Sequence, residues 1–530
     1  MSIQFIKKLS KLSSLYLITI LFFLTFFCYA NTLGNGLFFD DEQFIYNNQF
    51  VKTFDVQKIF SESLISGAGK ESNYFRPILF LGFSIEYHLF GNNGFIYHLN
   101  SFLIHFAGGI VLFFFLQKLF HKRLLSFLTS LLFLIHPIQT EAVSYASGRG
   151  DPLSFLFCML TLYFSLSSEK KAKILSFLSL LLALLSKEIA LMLPGLLLTT
   201  HYFFNKHNLK KAVITTIPYA LITLCYFFLR ITVFNFANTL NFYNSKNIYS
   251  SNIFVRINTF INLFPTYLHL LAYPKNLFME RDSGISIFLR GTITTIIVPL
   301  CLLVSLIFAY LKREKNPIVL FSLSWIGISF IPTSGLIPIN GIFYEHFLYF
   351  PSVGFFLLFS YIIYSLYKKN VNFLYLLLIP LAIYILFLMY RTITRNQDWH
   401  DPIKFYLQTI QHVQSPRAYN NLAMAYAENG DSKNAIITYK KAISLVDAYP
   451  ESRYNLGNSY LSLGNLHEAE KEYRRSLEID PSFYLSYIKL YAIYKQIENS
   501  SGIDWIDKQL DDLGEADQFF MQLKTQLHNQ

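Results

Sequence analysis

The sequence predicts an all-α protein in which a polytopic membrane domain is followed by a short helical repeat domain. The 530 residues are 53% hydrophobic and 15% charged, with a mean hydropathy of +0.37, as in integral membrane proteins. Apolar stretches alternate with short loops up to residue 399, and the less apolar residues beyond repeat with a fixed period. We therefore expect a membrane domain at 1–399, a linker at 400–416, two repeats at 417–483 and a degenerate third repeat with a helical cap at 484–530.

The first apolar segment, Leu12–Thr32, follows Lys7, Lys8 and Lys11. Its length is close to the roughly 20 residues that a helix needs to cross a hydrocarbon core. Near its end lies Cys28-Tyr29-Ala30, which would also serve as a small-residue cleavage site for a signal peptide. Because the stretch is longer than the apolar region of most signal peptides, we expect an uncleaved membrane anchor.

Ten further apolar segments complete the predicted membrane domain. Their basic loops lie on the cytoplasmic side by the positive-inside rule, which predicts eleven spans with the N-terminus inside and the repeats outside. Another segment, Ile257–Tyr273, contains polar residues and lacks a basic flank; we expect it to be interfacial or re-entrant. The ten segments are Ile96–Leu116, Leu124–Ile135, Pro152–Leu166, Ile174–Leu185, Ile189–Phe204, Ala212–Leu229, Thr292–Leu311, Val319–Phe330, Leu348–Leu366 and Phe373–Tyr390.

The net charge of +11 resides in the membrane domain. From His400 onward there are 13 Lys and Arg residues against 17 Asp and Glu residues. Nucleic-acid binding requires a basic soluble face, so we exclude nucleic acid as a partner. The four cysteines lie singly in or beside apolar segments without a CxxC motif, a pattern that predicts neither a disulfide framework nor a zinc site.

Beyond the membrane domain, leucine, small and aromatic positions recur after 34 residues, which is the period of the tetratricopeptide repeat. A third, degenerate repeat begins at Leu490 and Tyr494, and Gly502–Gln530 is expected to form a helical cap. Two and a half repeats bury only a small hydrophobic core on their own. We therefore expect them to dock on the membrane domain, pair with another copy or hold a peptide. The predicted packing positions are Leu422, Tyr426, Ala435, Tyr439, Leu456, Gly457, Tyr460, Ala469 and Tyr473, with Pro481 closing the second repeat.

Several ionisable residues lie in the predicted external loops, next to apolar spans. Charged groups at this boundary are costly and are usually functional or paired. Simple neutralisation, of Lys187 by Glu188 and of Arg149 by Asp151, is one interpretation. Because all these residues are predicted on one side of the membrane, we favour a shared site. Its candidate residues are Asp40, Asp41, Glu42, Arg76, Glu141, Arg149, Asp151, Lys187 and Glu188.

The candidates fall into four short motifs, which are Phe39-Asp40-Asp41-Glu42, Tyr74-Phe75-Arg76-Pro77, the run from His136-Pro137 to Gly150-Asp151, and Ser186-Lys187-Glu188; a fifth motif, Glu345-His346-Phe347-Leu348, contains none of them. With Trp399 ahead of the repeats, these motifs resemble the transmembrane and tetratricopeptide-repeat-containing family of O-mannosyltransferases over nearly the whole chain. The sequence departs from that family at His346 and Gly150, where Arg and Ala are expected. It also has fewer repeats than typical animal members.

The resemblance implies a GT-C-class membrane glycosyltransferase, related to protein O-mannosyltransferases. Such an enzyme passes a mannose-like sugar from a polyprenyl-phosphate carrier to a Ser or Thr hydroxyl on the extracytoplasmic side. A carboxylate must take the hydroxyl proton, and Asp40 or Asp41 is the candidate. Cations must hold the departing phosphate. The candidates for binding donor phosphate or sugar are Glu42, Arg76, Glu141, Arg149, Asp151, Lys187 and Glu188.

The expected partners are the membrane, the lipid-linked sugar and a protein or peptide acceptor held by the repeats. A divalent ion is left open, because carboxylates without fixed ligand spacing are weak evidence for a metal. We expect a bacterial cytoplasmic membrane with the repeats on the periplasmic side, or the endoplasmic reticulum membrane in a eukaryote.

The alternative to an enzyme is a non-enzymatic membrane scaffold whose repeats bind an envelope partner. In that case, replacing Asp40 and Asp41 would leave function intact while changes along the repeat groove would abolish it. Transport of a lipid-linked glycan is a third class of function. Transporters more often show internal symmetry between halves, which this sequence lacks.

Overall fold

The computed structural model describes residues 13–236, 248–279, 281, 287–337, 339, 341–369, 371–514 and 517–529. It divides into two compact units, Met1–Asp401 and Pro402–Gln530. Within the described ranges the regular elements are all helices, and the predicted all-α class is confirmed. The predicted basic residues ahead of the first span, together with Leu12, lie outside the described residues.

Thirteen longer helices build the first unit as far as it is described. Each of the eleven predicted spans coincides with one of them, because a long uncharged segment satisfies its backbone hydrogen bonds by forming a helix. These helices are α1 Ser14–Tyr29, α2 Pro77–Phe90, α3 Gly94–Phe120, α4 Arg123–Ile135, α5 Gly150–Ser165, α6 Lys170–Leu184, α7 Leu193–Phe204, α8 Leu209–Thr232, α9 Ile253–Ala272, α10 Ile293–Leu311, α11 Pro317–Phe330, α12 Pro351–Lys369 and α13 Val371–Asp398.

Among the described residues, five helices are long and apolar enough to cross a membrane alone. A sixth is added if the bent pair Arg123–Ile135 and Pro137–Val143 forms one broken span. Other helices of this unit are apolar but shorter, so the count of eleven spans stays a prediction. The five long helices lie within Ser14–Gly34, Gly94–Phe120, Leu209–Thr232, Ile293–Leu311 and Leu377–Asp398.

The segment predicted as interfacial or re-entrant forms the continuous helix α9, with Pro265 in its interior. Its polar side chains have partners, which explains how an apolar helix accommodates them. The Asn258 amide donates to the carbonyls of Phe288 and Arg290 at 2.7 and 2.6 Å, and the Asn262 amide donates to the Thr295 hydroxyl at 3.1 Å. The chain therefore does not reverse direction within this segment.

The core of the first unit is one large apolar cluster shared by most of its helices. Close helix contact contributes to it at Gly109 on α3. A Cβ at this position would lie 2.5 Å from a methyl carbon of Leu134 on α4, so the two helices approach more closely than a larger side chain would allow.

A second, smaller apolar cluster contains helix α2, which the sequence analysis did not predict. Helix α2 begins with Pro77 at its first position, where a missing N–H costs no hydrogen bond. It packs with the short helices Gln49–Lys52 and Val56–Ser61 through residues such as Val51 and Phe80. This layer follows the acidic motif in the chain and supplies a buried carboxylate to the site described below.

The second unit consists of eight helices over its described residues. Helix α14 occupies most of the predicted linker at 400–416, because Phe405, Tyr406 and Thr409 recur on one buried face and give it an amphipathic pattern. The pairs α15/α16 and α17/α18 form the two repeats, α19 and α20 form the degenerate third, and α21 ends the unit. The bounds are α14 Pro402–His412, α15 Pro416–Glu428, α16 Ser432–Leu445, α17 Pro450–Ser462, α18 Leu466–Ile479, α19 Tyr484–Gln496, α20 Ser500–Gly514 and α21 Gln518–Asn529.

Most of the predicted repeat positions are buried in one continuous core. Tyr426 is half-buried against that core. Pro481 is exposed in the turn before α19, where its carbonyl accepts a hydrogen bond from the Tyr487 hydroxyl at 3.1 Å. Its part is thus to end a helix rather than to pack. The buried positions are Leu422, Ala435, Tyr439, Leu456, Gly457, Tyr460, Ala469 and Tyr473.

Candidate functional site

The polar run at residues 136–151, which we call the central segment, is the hub of the predicted site. It folds into three short helices before α5 begins, and every residue in it is buried except the half-buried Gly148. Buried polar groups need hydrogen-bond partners. The central segment finds many of them in the other predicted loops, so it brings those loops together.

The acidic motif is held by two residues of the central segment. The Asp41 carboxylate accepts hydrogen bonds from the Ser147 backbone N–H at 2.7 Å and from the Ser147 hydroxyl at 2.5 Å. The Asp40 backbone N–H donates to the Tyr145 hydroxyl at 3.1 Å. Burial raises the pKa of Asp41 from its ordinary value of 3.8 to about 7; the Ser147 hydrogen bonds oppose this shift, and the Asp40 charge adds to it.

Aromatic side chains fix the backbone around the two aspartates. Tyr145 stacks on Trp399 with ring centroids 5.0 Å apart, and Phe39 lies 5.8 Å from the Tyr145 ring. Phe39 has a φ of +62°, which is unfavourable for a bulky side chain and persists only where the surroundings enforce it. Such strain is typical of functional sites. Glu42 follows directly, half-buried at the start of the helical turn Glu42–Tyr46.

Two neighbouring ion pairs form a four-charge cluster. The Arg76 guanidinium contacts the Glu188 carboxylate at 3.0 Å, and the Lys187 ammonium contacts Asp151 at 2.6 Å. Burial lowers the pKa of Lys187; Asp151 opposes this shift, and Arg76 adds to it. Arg76 and Glu188 keep 14% and 27% of their side-chain surface exposed. Arg76 also lines a shallow surface recess with Glu62 and Phe80, so part of its side chain is accessible from solvent.

The structure gives Arg149 a different environment from the other predicted phosphate ligands. Its guanidinium bonds the Glu86 carboxylate at 2.5 Å, the Ser101 hydroxyl at 3.0 Å and the Tyr97 carbonyl at 2.6 Å. It is 1% exposed and stacks on Phe83. The interpretation in which Arg149 is neutralised by Asp151 and Lys187 by Glu188 is wrong, because Asp151 bonds Lys187 and Glu188 bonds Arg76. Arg149 is therefore enclosed, with its donors used by α2 and α3.

Glu141 belongs to a further charged group. Its carboxylate accepts from the His346 ring at 2.7 Å and from the His346 backbone N–H at 3.1 Å. The adjacent Glu345 lies 3.4 Å from Arg281 and 3.5 Å from Arg395. Burial raises the pKa of Glu345 against the opposing charges of Arg395 and Arg281. Glu345 thus anchors three segments that are distant in the chain.

Among these residues, Glu86, Arg281, Glu345 and Arg395 were missed as site candidates by the sequence analysis. Glu86 lies within the largely apolar helix α2, where a charge is costly unless paired. That signal could have found Glu86, although it does not name the partner. Arg395 gives no such signal, because Arg391 and Asp398 lie at the same polar end of α13. Among the described residues, no group of three or more His, Cys, Asp and Glu side chains could hold a metal ion. We assign no metal ligands.

The comparison with protein families identifies the repeat class. A tetratricopeptide-repeat family model matches residues 414–482, which cover both predicted repeats. The chain therefore contains a tetratricopeptide-repeat domain.

Curated relatives match much more of the chain. The protein O-mannosyl-transferase F38B6.6 of Caenorhabditis elegans is 27% identical over 448 residues, covering 82% of this chain and 63% of the relative. The human protein O-mannosyl-transferase TMTC3 is 24% identical over 496 residues, covering 86% and 54%. Human TMTC1 is 34% identical over 140 residues, 25% of this chain and 16% of the relative. The predicted resemblance to the transmembrane and tetratricopeptide-repeat-containing O-mannosyltransferases is confirmed, and the chain spans between about half and two thirds of the length of the first two relatives.

Proposed function

We propose that this chain is a membrane glycosyltransferase of the GT-C class. It moves a mannose-like sugar from a polyprenyl-phosphate donor to a Ser or Thr hydroxyl of a protein acceptor. The relatives named as protein O-mannosyl-transferases support the reaction class. The observation that carries the proposal is the convergence of an aspartate pair and a partly exposed Arg and Lys cluster on one buried segment.

The proposed reaction is an inverting displacement at the anomeric carbon. The acceptor oxygen forms its bond to that carbon as the bond to the phosphate oxygen breaks. The hydroxyl proton passes to the carboxylate of Asp40 or Asp41, acting as general base. Polyprenyl phosphate leaves with the bonding electron pair, and its negative charge is stabilised by Arg76 and Lys187. Glu188 and Asp151 orient these two cations through the ion pairs described above.

The remaining groups of the site have supporting parts in this proposal. Glu141 holds His346 at the edge of the central segment, and Glu42 lies next to the two aspartates, where it can bind sugar hydroxyls. The repeats recruit the acceptor protein. The reaction takes place on the extracytoplasmic side, which is the periplasm of a bacterium or the lumen of the endoplasmic reticulum in a eukaryote.

Sugar transfer by the purified chain in lipid tests the proposal. A panel of radiolabelled polyprenyl-phosphate monosaccharides is offered with membrane extract as the acceptor. The wild type is expected to transfer one sugar, and an Asp40→Asn, Asp41→Asn double variant is expected to lose transfer. The matched control is Asp511→Asn, Asp512→Asn, since these adjacent aspartates are exposed on α20; it should retain activity.

The same experiment separates the enzyme from the scaffold. If no donor is consumed while the repeats still capture a partner from the extract, the protein is a scaffold. Equal transfer by wild type and by the double variant would remove the acidic motif from the mechanism.

A further inference from the structure

The two adjacent aspartates of the acidic motif have unequal surroundings. Asp41 is 1% exposed, whereas Asp40 is half-buried. A general base must lie within hydrogen-bond reach of the proton that it takes. The enclosed carboxylate of Asp41 meets this requirement less well than that of Asp40.

Ser147 uses both of its hydrogen-bond donors on one atom, Oδ1 of Asp41. Hydrogen bonds to a carboxylate are about twice as strong as those between neutral groups, so this pair fixes the position of Asp41. Two residues earlier, the Tyr145 hydroxyl accepts from the Asp40 backbone N–H. The residues at 145–147 therefore hold the acidic motif at two points, one on the main chain and one on a side chain.

We infer that Ser147 is a positioning residue that locks Asp41 and thereby presents the neighbouring Asp40 to the acceptor hydroxyl. This inference rests on the proposed glycosyltransferase function and assigns different roles to the two aspartates. Asp40 takes the proton. Asp41 holds the loop, and its ionised form accepts the stronger hydrogen bonds from Ser147.

Asp40 and Tyr46 interact electrostatically with Asp41. Asp40 is the neighbouring charge that raises the pKa of Asp41. Tyr46 lies on the following helical turn, and its own pKa is raised by burial and by the charges of Asp41 and Glu42. Tyr145 contributes a hydroxyl bonded to the Asp40 main chain. Because the pKa of Asp41 is about 7 and so lies near neutrality, Asp41 takes up a proton as the pH falls. Its hydrogen bonds from Ser147 then weaken.

Single variants in the transfer reaction test this division of roles. Asp40→Asn is expected to lower kcat by about 100-fold or more, the contribution of a general base. Asp41→Asn keeps an oxygen acceptor and is expected to lower kcat only about tenfold, as for one weakened charge-assisted hydrogen bond. Ser147→Ala is expected to lower kcat to a similar extent with the donor KM unchanged. Ser147→Thr, which keeps a hydroxyl, should restore activity.

The pH profile distinguishes positioning from a general structural effect. Removing the Ser147 hydroxyl removes a bond that lowers the pKa of Asp41, so the acid limb of kcat should move up by about one pH unit. Ser144→Ala is the matched control, since Ser144 is also buried in the central segment but its hydroxyl donates to Asn396 at 2.6 Å. For Ser144→Ala, the acidic side of the kcat–pH profile should stay at the same pH as in the wild type, whatever the activity of the variant.

A measurement without substrate keeps the inference testable if no donor is found. In the folded state Asp41 binds its proton more tightly than in the unfolded state, so its contribution to stability is greatest below pH 4 and is lost as the pH rises towards 7. In Ser147→Ala, the stability contribution of Asp41 should persist to higher pH before it is lost. The thermal midpoint of the full chain in lipid, measured against pH, reports this change. In an Asp41→Asn background, the same substitution should have no pH-dependent effect.

Three results would overturn the inference. The first is an Asp41→Asn variant as inactive as Asp40→Asn, and the second is full activity of Ser147→Ala with an unshifted pH profile. The third is a pH-dependent effect of Ser147→Ala that persists without Asp41. Absence of transfer by the wild type, with the stability coupling present, would instead remove the proposed function and leave the Ser147–Asp41 lock intact.

Discussion

The ion pairs of this molecule differ in how much of each is exposed. The side chains of Arg149 and Glu86 are 2% and 8% exposed, whereas those of Arg76 and Glu188 keep 14% and 27%. Removing one member of a buried pair leaves an uncompensated charge in a medium that solvates it poorly. Two arginines chosen from the sequence for the same reason therefore have different environments, since Arg149 is enclosed by protein groups and Arg76 is partly exposed to solvent.

Arg149→Ala is expected to destabilise the first unit by about 3–5 kcal/mol, the usual cost of breaking a buried pair. Arg76→Ala should leave the fold intact, lower kcat because the charge on the departing phosphate loses a stabilising cation, and raise the KM for the lipid-linked donor. Thermal unfolding of both variants in lipid, followed by donor titration of the folded one, measures the two effects. If Arg149→Ala folds and only its KM for the lipid-linked donor rises, Arg149 belongs to the phosphate site after all.

The sequence located the candidate residues but not their pairing. Charge at a membrane boundary was enough to select Asp41, Lys187 and Asp151, and the structure links all three to the central segment. The Arg149 partner could not be inferred, because Glu86 lies 63 residues away on a helix that was not predicted. Burial, which decides whether a cation meets ligand or protein, is a property of packing and is not visible in charge patterns.

At the scale of elements, small residues determine how closely helices pack. Gly457 on α17 faces α18, and a Cβ at Gly457 would lie 2.7 Å from the Tyr473 ring. The 34-residue period identified this position as small but did not say how small, since the equivalent residue of the first repeat is Ala423. Equivalent helix pairs thus accept different small residues at this position, according to how closely the neighbouring aromatic ring approaches.

Gly457→Ala is expected to destabilise the repeats by about 1–3 kcal/mol, the typical cost of overpacking. Gly82→Ala is the matched control, because a Cβ at Gly82 in α2 meets nothing within 4 Å. It should leave stability unchanged or raise it by up to about 1 kcal/mol through helix propensity. Thermal unfolding of the full chain compares the two. An unchanged midpoint for Gly457→Ala would mean that the Tyr473 ring moves aside.

Helix boundaries were predicted best where hydrophobicity alone fixes them. The predicted segment Ala212–Leu229 became Leu209–Thr232, and Thr292–Leu311 became Ile293–Leu311. Helix α2 was missed because it carries Glu86 and His88 among its apolar residues. These polar residues broke the pattern. Glu86 has its partner, Arg149, elsewhere in the fold, whereas the His88 ring bonds the Ser84 carbonyl of the same helix at 3.0 Å.

For the whole molecule, the prediction that remains open is the orientation in the membrane. The basic loops assign Lys315 to the cytoplasmic side and the repeats to the opposite side. Neither assignment follows from helix packing, because a bundle packs identically in either orientation. Charge in the loops is the physical feature that breaks this equivalence.

Thiol labelling in intact bacterial cells that express the chain, where the expected extracytoplasmic side is the periplasm, tests the orientation. In a chain with its exposed cysteines Cys225 and Cys301 replaced by Ser, a membrane-impermeant reagent should label Asn429→Cys directly. It should label Lys315→Cys only after permeabilisation; both positions are exposed in the fold. Protection of Asn429→Cys in intact cells would place the repeats in the cytoplasm and contradict the proposed extracytoplasmic acceptor site.

Burial of the central segment also constrains biosynthesis. Glu141 is bonded to His346, which follows 205 residues later. At about 5–20 residues per second, a ribosome needs roughly 10–40 s to supply that partner. During this interval the nascent chain holds a carboxylate that its final environment would not tolerate alone. Insertion of the early helices and closure of the polar hub are therefore separate events in time, and a nascent chain interrupted before residue 346 would present cellular quality control with a recognisable, unfinished polar surface.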